Sequence, residues 1–120
     1  MVYLPAVESM RPVITIPLTR KMHAILYDQI VSEGMTDFAF LFGVYKKGEK
    51  VPSFCVASEV NSMAEEFGGG SHFFTTWASD GTHSNYNDSN DWADPEKFLA
   101  KALRTVEEVF HAVPLEQVKP

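Results

Sequence analysis

Eight consecutive residues, Phe38 to Tyr45, read Phe-Ala-Phe-Leu-Phe-Gly-Val-Tyr and constrain the fold more than any other stretch. At the two-residue period of a strand, Phe38, Phe40, Phe42 and Val44 line one face, and Ala39, Leu41, Gly43 and Tyr45 line the other. Both faces are apolar, so the spacing predicts a central strand covered on both sides rather than one half exposed to water. The run is short for a helix, and its phenylalanines favour a pleated surface. Ala39 and Gly43 leave room on the second face for a closely packed neighbour. The rest of the chain has to supply two covers for this strand.

A chain of 120 residues can bury roughly two-thirds of its surface on folding, which is ample for one domain. Hydrophobic residues at 45% and charged residues at 22% place it among globular chains rather than disordered ones. The formal net charge of -6 argues against direct binding to nucleic acid or to an anionic membrane surface, both of which need a basic face. It suits a partner with a basic surface. Cys55 is the only cysteine, so no internal disulfide forms, and a buried structural thiol is the expectation for it. With no basic-then-apolar leader, a reducing cytoplasmic setting is expected, and no apolar run approaches the roughly 20 residues of a membrane-spanning helix.

In chain order, residues 1–12 are expected to form an N-terminal arm, and the sequence leaves open whether Met10 within it is an alternative start. A short strand from Val13 to Ile16 is expected to stop at Pro17, which has no N–H to offer. Leu18 to Ser32 fits a helix, with Thr19 as its cap and Met22, Ile25, Leu26 and Ile30 recurring at spacings of three and four. After the central strand, Lys46 to Lys50 forms a charged hairpin loop and Val51 to Ser58 the partner strand. Glu59 to Phe67 fits two helical turns, broken by Gly68-Gly69-Gly70. That triplet lacks the Gly-Lys-Ser/Thr ending of a phosphate loop and reads as a hinge. Ser71 to Ala78 and Thr82 to Tyr86 form a hairpin about an Asp80-Gly81 type I′ turn. Asp94 caps a long helix that opens with Pro95, with Phe98, Leu99, Ala102, Leu103, Val106, Val109 and Phe110 as its apolar stripe until Pro114.

The expected architecture is therefore α+β: a single small domain over residues 13–114, with a mostly antiparallel sheet of four to five strands, two main helices packed on it, and a tail at 115–120.

Chemistry-bearing side chains concentrate between His72 and Trp92. A two-residue turn at Asp80-Gly81 pairs Ala78 with His83 and Trp77 with Ser84. That register puts His72 and His83 on one face but about 20 Å apart, too far to share a zinc ion. Asp88, Asn90 and Asp91 do not follow the ligand order of a calcium loop, so no metal and no cofactor is expected. No Gly-x-Ser-x-Gly nucleophile elbow is present. The leading functional expectation is a small acidic domain that binds a protein with a basic surface, such as an immunity protein or antitoxin-like inhibitor masking a toxin or nuclease. Asp80, His83, Asn85, Tyr86, Asp88, Asp91 and Trp92 would form its binding surface, joined by Glu65 and Glu66, with Tyr86 and Trp92 as aromatic anchors. One alternative is a small hydrolase-type enzyme in which His83 is the acid–base group, oriented by Asp88 or Asp91. Another is a structural or adaptor subunit that forms a homodimer through exposed apolar surface.

Overall fold

The computed structural model describes residues 4–34, 36–60 and 70–110. Six strands, hydrogen-bonded in sequence order, form one antiparallel sheet. They are β1 (Val7–Thr19), β2 (Met22–Ser32), β3 (Phe38–Lys46), β4 (Phe54–Glu59), β5 (Ser71–Trp77) and β6 (His83–Ser89). A single 3-10 turn, Asn90–Ala93, leads into the helix α1 (Pro95–Phe110). This corrects the expected four to five strands beneath two main helices: among the described residues there are six strands and one α-helix.

The error lies between Leu18 and Ser32, which form most of a β-hairpin rather than a helix. Thr19 pairs with Met22 across the two-residue loop Arg20-Lys21. The Thr19 hydroxyl accepts a hydrogen bond from Lys21 N at 3.1 Å, so the side chain that suggested a helix cap closes a turn instead. The helix-like spacing arises because β2 carries apolar residues on both faces: Met22 and Leu26 turn toward one core cluster and Ile30 toward the other. β2 also carries one extra residue near Gln29 opposite Ser9 to Arg11, which breaks the strand alternation there. Gln29 has φ of 49°, a left-handed conformation that disfavours any side chain with a Cβ.

β1 runs through both Pro12 and Pro17 instead of ending at the second. As the first strand of the sheet it has one unpaired side, where a missing N–H costs no ladder bond. Register shifts beside Pro12 and Pro17 absorb the remaining irregularity. Residues Val7 to Pro12, expected in an arm, are thereby paired with β2.

The two faces of the sheet are covered differently. On one, α1 buries Phe98, Ala102 and Val106 against Leu26, Phe42, Val44, Phe54, Val56 and Phe73, all at most 3% exposed. α1 starts where its sequence signals put it, with Asp94 Oδ2 accepting from Lys97 N at 3.0 Å. On the other face a smaller cluster of Leu41, Cys55, Ala57 and Phe74 lies under an N-terminal strap, residues 4–10, made of Leu4 to Ala6 and the first residues of β1. Phe38 belongs to this second cluster, not to the face of Phe40 and Phe42, because an extra residue at Ala39 opposite β4 reverses its direction. The expected helix at Glu59 to Phe67 and the tail at 115–120 lie mostly or wholly outside the described residues. Gly70, the described part of the glycine triplet, has φ of 69° and its Cα packs directly on the Ser89–Asn90 backbone. Close approach, not a phosphate, explains this glycine.

Candidate functional site

On the strap side of the sheet, β5 presents His72, Phe74 and Thr76, and β6 presents His83 and Asn85 opposite them. Thr76 pairs with His83 and Phe74 with Asn85. The loop is longer than the expected two-residue turn: Trp77 pairs with Thr82, and Gly81 N donates to Trp77 O at 3.0 Å. Gly81, with φ of 73°, supplies the left-handed residue that ends such a loop. The register consequently moves by two residues, a shift that keeps both histidines on one face. A bulge between Asn85 and Asp88 then restores His72 opposite Asp88. In a regular strand Asn85 and Asp88 would point to opposite faces; the bulge brings them to the same one.

These residues join in one network. His72 Nδ1 lies 2.7 Å from Asp88 Oδ1, and its Nε2 lies 2.8 Å from Asn85 Oδ1. His83 Nε2 reaches the same Asn85 oxygen at 2.9 Å, and its Nδ1 lies 3.3 Å from Thr76 Oγ1. Both nitrogens of His72 face acceptor oxygens, an arrangement that the imidazolium form satisfies. Partial burial works against that cation. The hydrogen bonds to Asp88 and Asn85 and the charges of Asp88 and Glu59 outweigh it, so the pKa is raised above the ordinary histidine value. For His83, the bond to Asn85 selects the Nε2–H tautomer and leaves Nδ1 to accept the Thr76 hydroxyl. The Phe74 ring stacks against both imidazoles, with centroids 5.8 Å from His72 and 4.7 Å from His83.

The expected separation of His72 and His83 is therefore corrected. Both bond one oxygen, so their Nε2 atoms lie within about 6 Å of each other rather than about 20 Å. Among the described residues no group of three or more His, Cys, Asp or Glu side chains is arranged to hold a metal ion.

Beside the network is an open cleft of about 470 Å³, floored by Phe38 and Phe74, walled by Leu4 and Pro5 of the strap, and bordered by Glu59, Thr76 and His83. Glu59, Thr76 and Phe74 were not read as site residues. Their roles depend on the β4–β5–β6 register, which alternation alone leaves open.

The other candidates are dispersed. Asp80 is exposed and accepts from Thr82 N at 2.8 Å, a turn bond that also lowers its pKa. Asp91 lies 3.3 Å from Lys97 Nζ, and neither it nor Asp88 reaches His83. Tyr86 and Trp92 lie on the helix side, both packed on Phe73 at 5.3 Å between centroids. Trp92 Nε1 donates to Asn87 O at 2.8 Å, and Lys101 Nζ sits 5.3 Å from the Tyr86 ring centroid. Both aromatics thus face away from His83, Asn85 and Asp88. Glu65 and Glu66 lie outside the described residues. Cys55 is 5% exposed, and burial pushes its thiol pKa up to about 12, so it is no activated nucleophile. No helix among the described residues is long and apolar enough to cross a membrane.

Comparison with known proteins leaves the geometry to speak alone: no protein-family model, no curated protein and no solved structure matches this chain.

Proposed function

We propose that the chain is a small cytoplasmic protein-binding domain whose cleft receives a basic side chain of its partner, in the manner of an inhibitor or immunity-type protein that masks a basic surface. The observation that carries this reading is the cleft between Glu59 and His83 over the Phe74 ring. The stem of an Arg or Lys lies on Phe38 and Phe74, and its cation meets Glu59. Asn85 and Asp88 on β6 adjoin it, with Asp80 further off in the β5–β6 loop, and they contribute steering charge and hydrogen bonds. Tyr86 and Trp92 are left out of this surface, because both are packed toward α1.

Titration with N-acetyl-arginine amide, followed by amide and side-chain NMR shifts, tests the cleft directly. Saturable shifts at Glu59, Phe74 and His83 are expected, much reduced with N-acetyl-norleucine amide and in Glu59→Gln. Equal shifts with both compounds would remove the charge-recognition element. Capture of partners from lysate should weaken in Glu59→Gln and as salt is raised.

A second, hydrolytic reading rests on the Thr76–His83–Asn85 arrangement, in which a hydroxyl, an imidazole and an orienting amide are in sequence. It replaces Asp88 and Asp91 with Asn85 as the orienter. Turnover of activated esters that disappears in His83→Gln would favour it over binding alone. A homodimer is the third reading, and Met10, Val13, Ile14 and Val31, between 39% and 50% exposed, are the surface it would cover. Sedimentation velocity across a concentration series separates that reading from a monomer.

A further inference from the structure

A second cavity lies beneath the strap, at the β2–β3 end of the same face, sharing only Leu4 and Pro5 with the Glu59–His83 cleft. It is partly open to solvent and holds about 170 Å³, close to the roughly 150 Å³ of an apolar cavity that accepts benzene. Its floor is Leu41, Gly43 and Cys55, and its roof is the strap residues Leu4, Val7 and Met10. Gly43 makes room for the Tyr45 ring and hydroxyl, which lie directly over it. A Cβ there would meet the Tyr45 ring at 3.1 Å and Pro52 Cβ at 3.3 Å, so any larger residue would push the ring out of its place.

One end of this apolar space is polar. Tyr27 and Tyr45 bring their hydroxyls to 2.5 Å of each other. Two phenols carry two O–H protons, and their mutual bond uses one. The other proton has no protein partner among the described residues and remains available as a donor, beside lone pairs that accept. The Tyr45 side is fixed by the His23 ring stacked on it, centroids 5.2 Å apart and planes 7° from parallel. Burial raises the Tyr45 pKa far above its ordinary value, so the pair stays protonated and donating near neutrality. The sulfur atoms of Met10 and Cys55 add polarisable walls that suit the edge of an aromatic ring.

From the volume, the mostly apolar walls and the single polar end, we infer that this cavity binds a small monocyclic aromatic molecule bearing one oxygen, of the phenol class. The ring occupies the space between Leu41 and Cys55 on one side and Leu4 and Val7 on the other, and its oxygen exchanges hydrogen bonds with the Tyr27–Tyr45 pair. This site does not depend on the basic-partner reading, since none of its polar groups belongs to the β5–β6 network.

The test uses the full chain with 4-methylphenol and toluene as probes, followed by amide NMR and by the melting temperature. With 4-methylphenol, saturable shifts are expected at Leu41, Gly43 and Cys55, together with a raised melting temperature; toluene should bind more weakly at the same amides. In Tyr27→Phe, 4-methylphenol should lose about 5–10-fold in affinity, as befits one hydrogen bond, while toluene binding stays within about twofold. Cys55→Met, which fills the floor, should abolish binding of both. Absence of saturable shifts with either probe would overturn the inference, as would equal losses for both probes in Tyr27→Phe or undiminished binding in a folded Cys55→Met. If Cys55→Met does not fold, the two probes in Tyr27→Phe still decide.

Discussion

The two faces of one sheet differ in how they are closed. Under α1, Phe42, Val44, Phe54, Val56, Phe73, Phe98, Ala102 and Val106 are all at most 1% exposed and form one continuous core. Under the N-terminal strap the buried apolar cluster is smaller, Leu41, Cys55, Ala57 and Phe74, with Tyr45 and Thr76 buried beside it, and two cavities remain among the described residues. The titratable network, the free tyrosine hydroxyl proton and the buried thiol all lie on this looser side. The difference teaches a division of labour: the helix face supplies the cooperative stability, and the strap face supplies the space and polar groups that a ligand or partner can use.

The largest expected effect breaks the helix side. Phe42→Ala or Phe98→Ala should cost about 3–5 kcal/mol in chemical denaturation, because each leaves a cavity in tightly packed surroundings. Phe74→Ala, on the strap side, should cost at least about 1 kcal/mol less, since its surroundings are already partly open and can settle. Equal costs would erase the contrast. Gly70→Ala comes next, at about 2 kcal/mol or more, because the new Cβ meets the Ser89–Asn90 backbone and sits at positive φ. A melting temperature unchanged by that substitution would show that the β5–β6 end of the sheet is not held by this approach.

Two smaller effects sharpen the picture. Gln29→Gly should stabilise the fold by about 0.5–1 kcal/mol by relieving the left-handed backbone of the β2 bulge. A loss of stability would mean that the Gln29 side chain matters more than its strain. His72→Gln should show a pH dependence. The folded pKa of His72 is raised, so its contribution is fully present below the ordinary value of about 6.5 and fades as pH rises through the folded value. The variant should therefore lose more stability at about pH 5.5 than at about pH 8.5, and the reverse order would contradict the His72–Asp88 pairing.

What the sequence conveyed and what it hid follow from regularity. β3 was readable because both of its faces are apolar, and α1 because Asp94 and Pro95 mark its start and its stripe keeps one period. Thr105 escaped the stripe, although it is 2% exposed and donates its hydroxyl to Lys101 O at 2.7 Å. β1 and β2 were hidden by prolines tolerated on an edge, by apolar residues on both faces of β2, and by a bulge at Gln29 that breaks its alternation. The same kind of irregularity hid the site. Bulges at Ala39 and between Asn85 and Asp88 reversed the faces of Phe38 and Asp88, and a longer loop at Asp80 moved His83 by two residues. Each local error is one residue or two, but in a strand each reassigns a side chain to a different face or a different partner.

The division between the two faces is tested most directly at Cys55, the sole cysteine, buried beneath the strap. Its rate of modification by a thiol reagent, measured across low denaturant concentrations, reports how the covered thiol becomes reachable. If the strap opens while the helix side stays packed, Cys55 reacts through an opening whose free energy is well below that of global unfolding and depends only weakly on denaturant. If the two faces open together, the labelling free energy and its denaturant slope match those of global unfolding, and the proposed division of the sheet into a stabilising face and an accessible face is wrong.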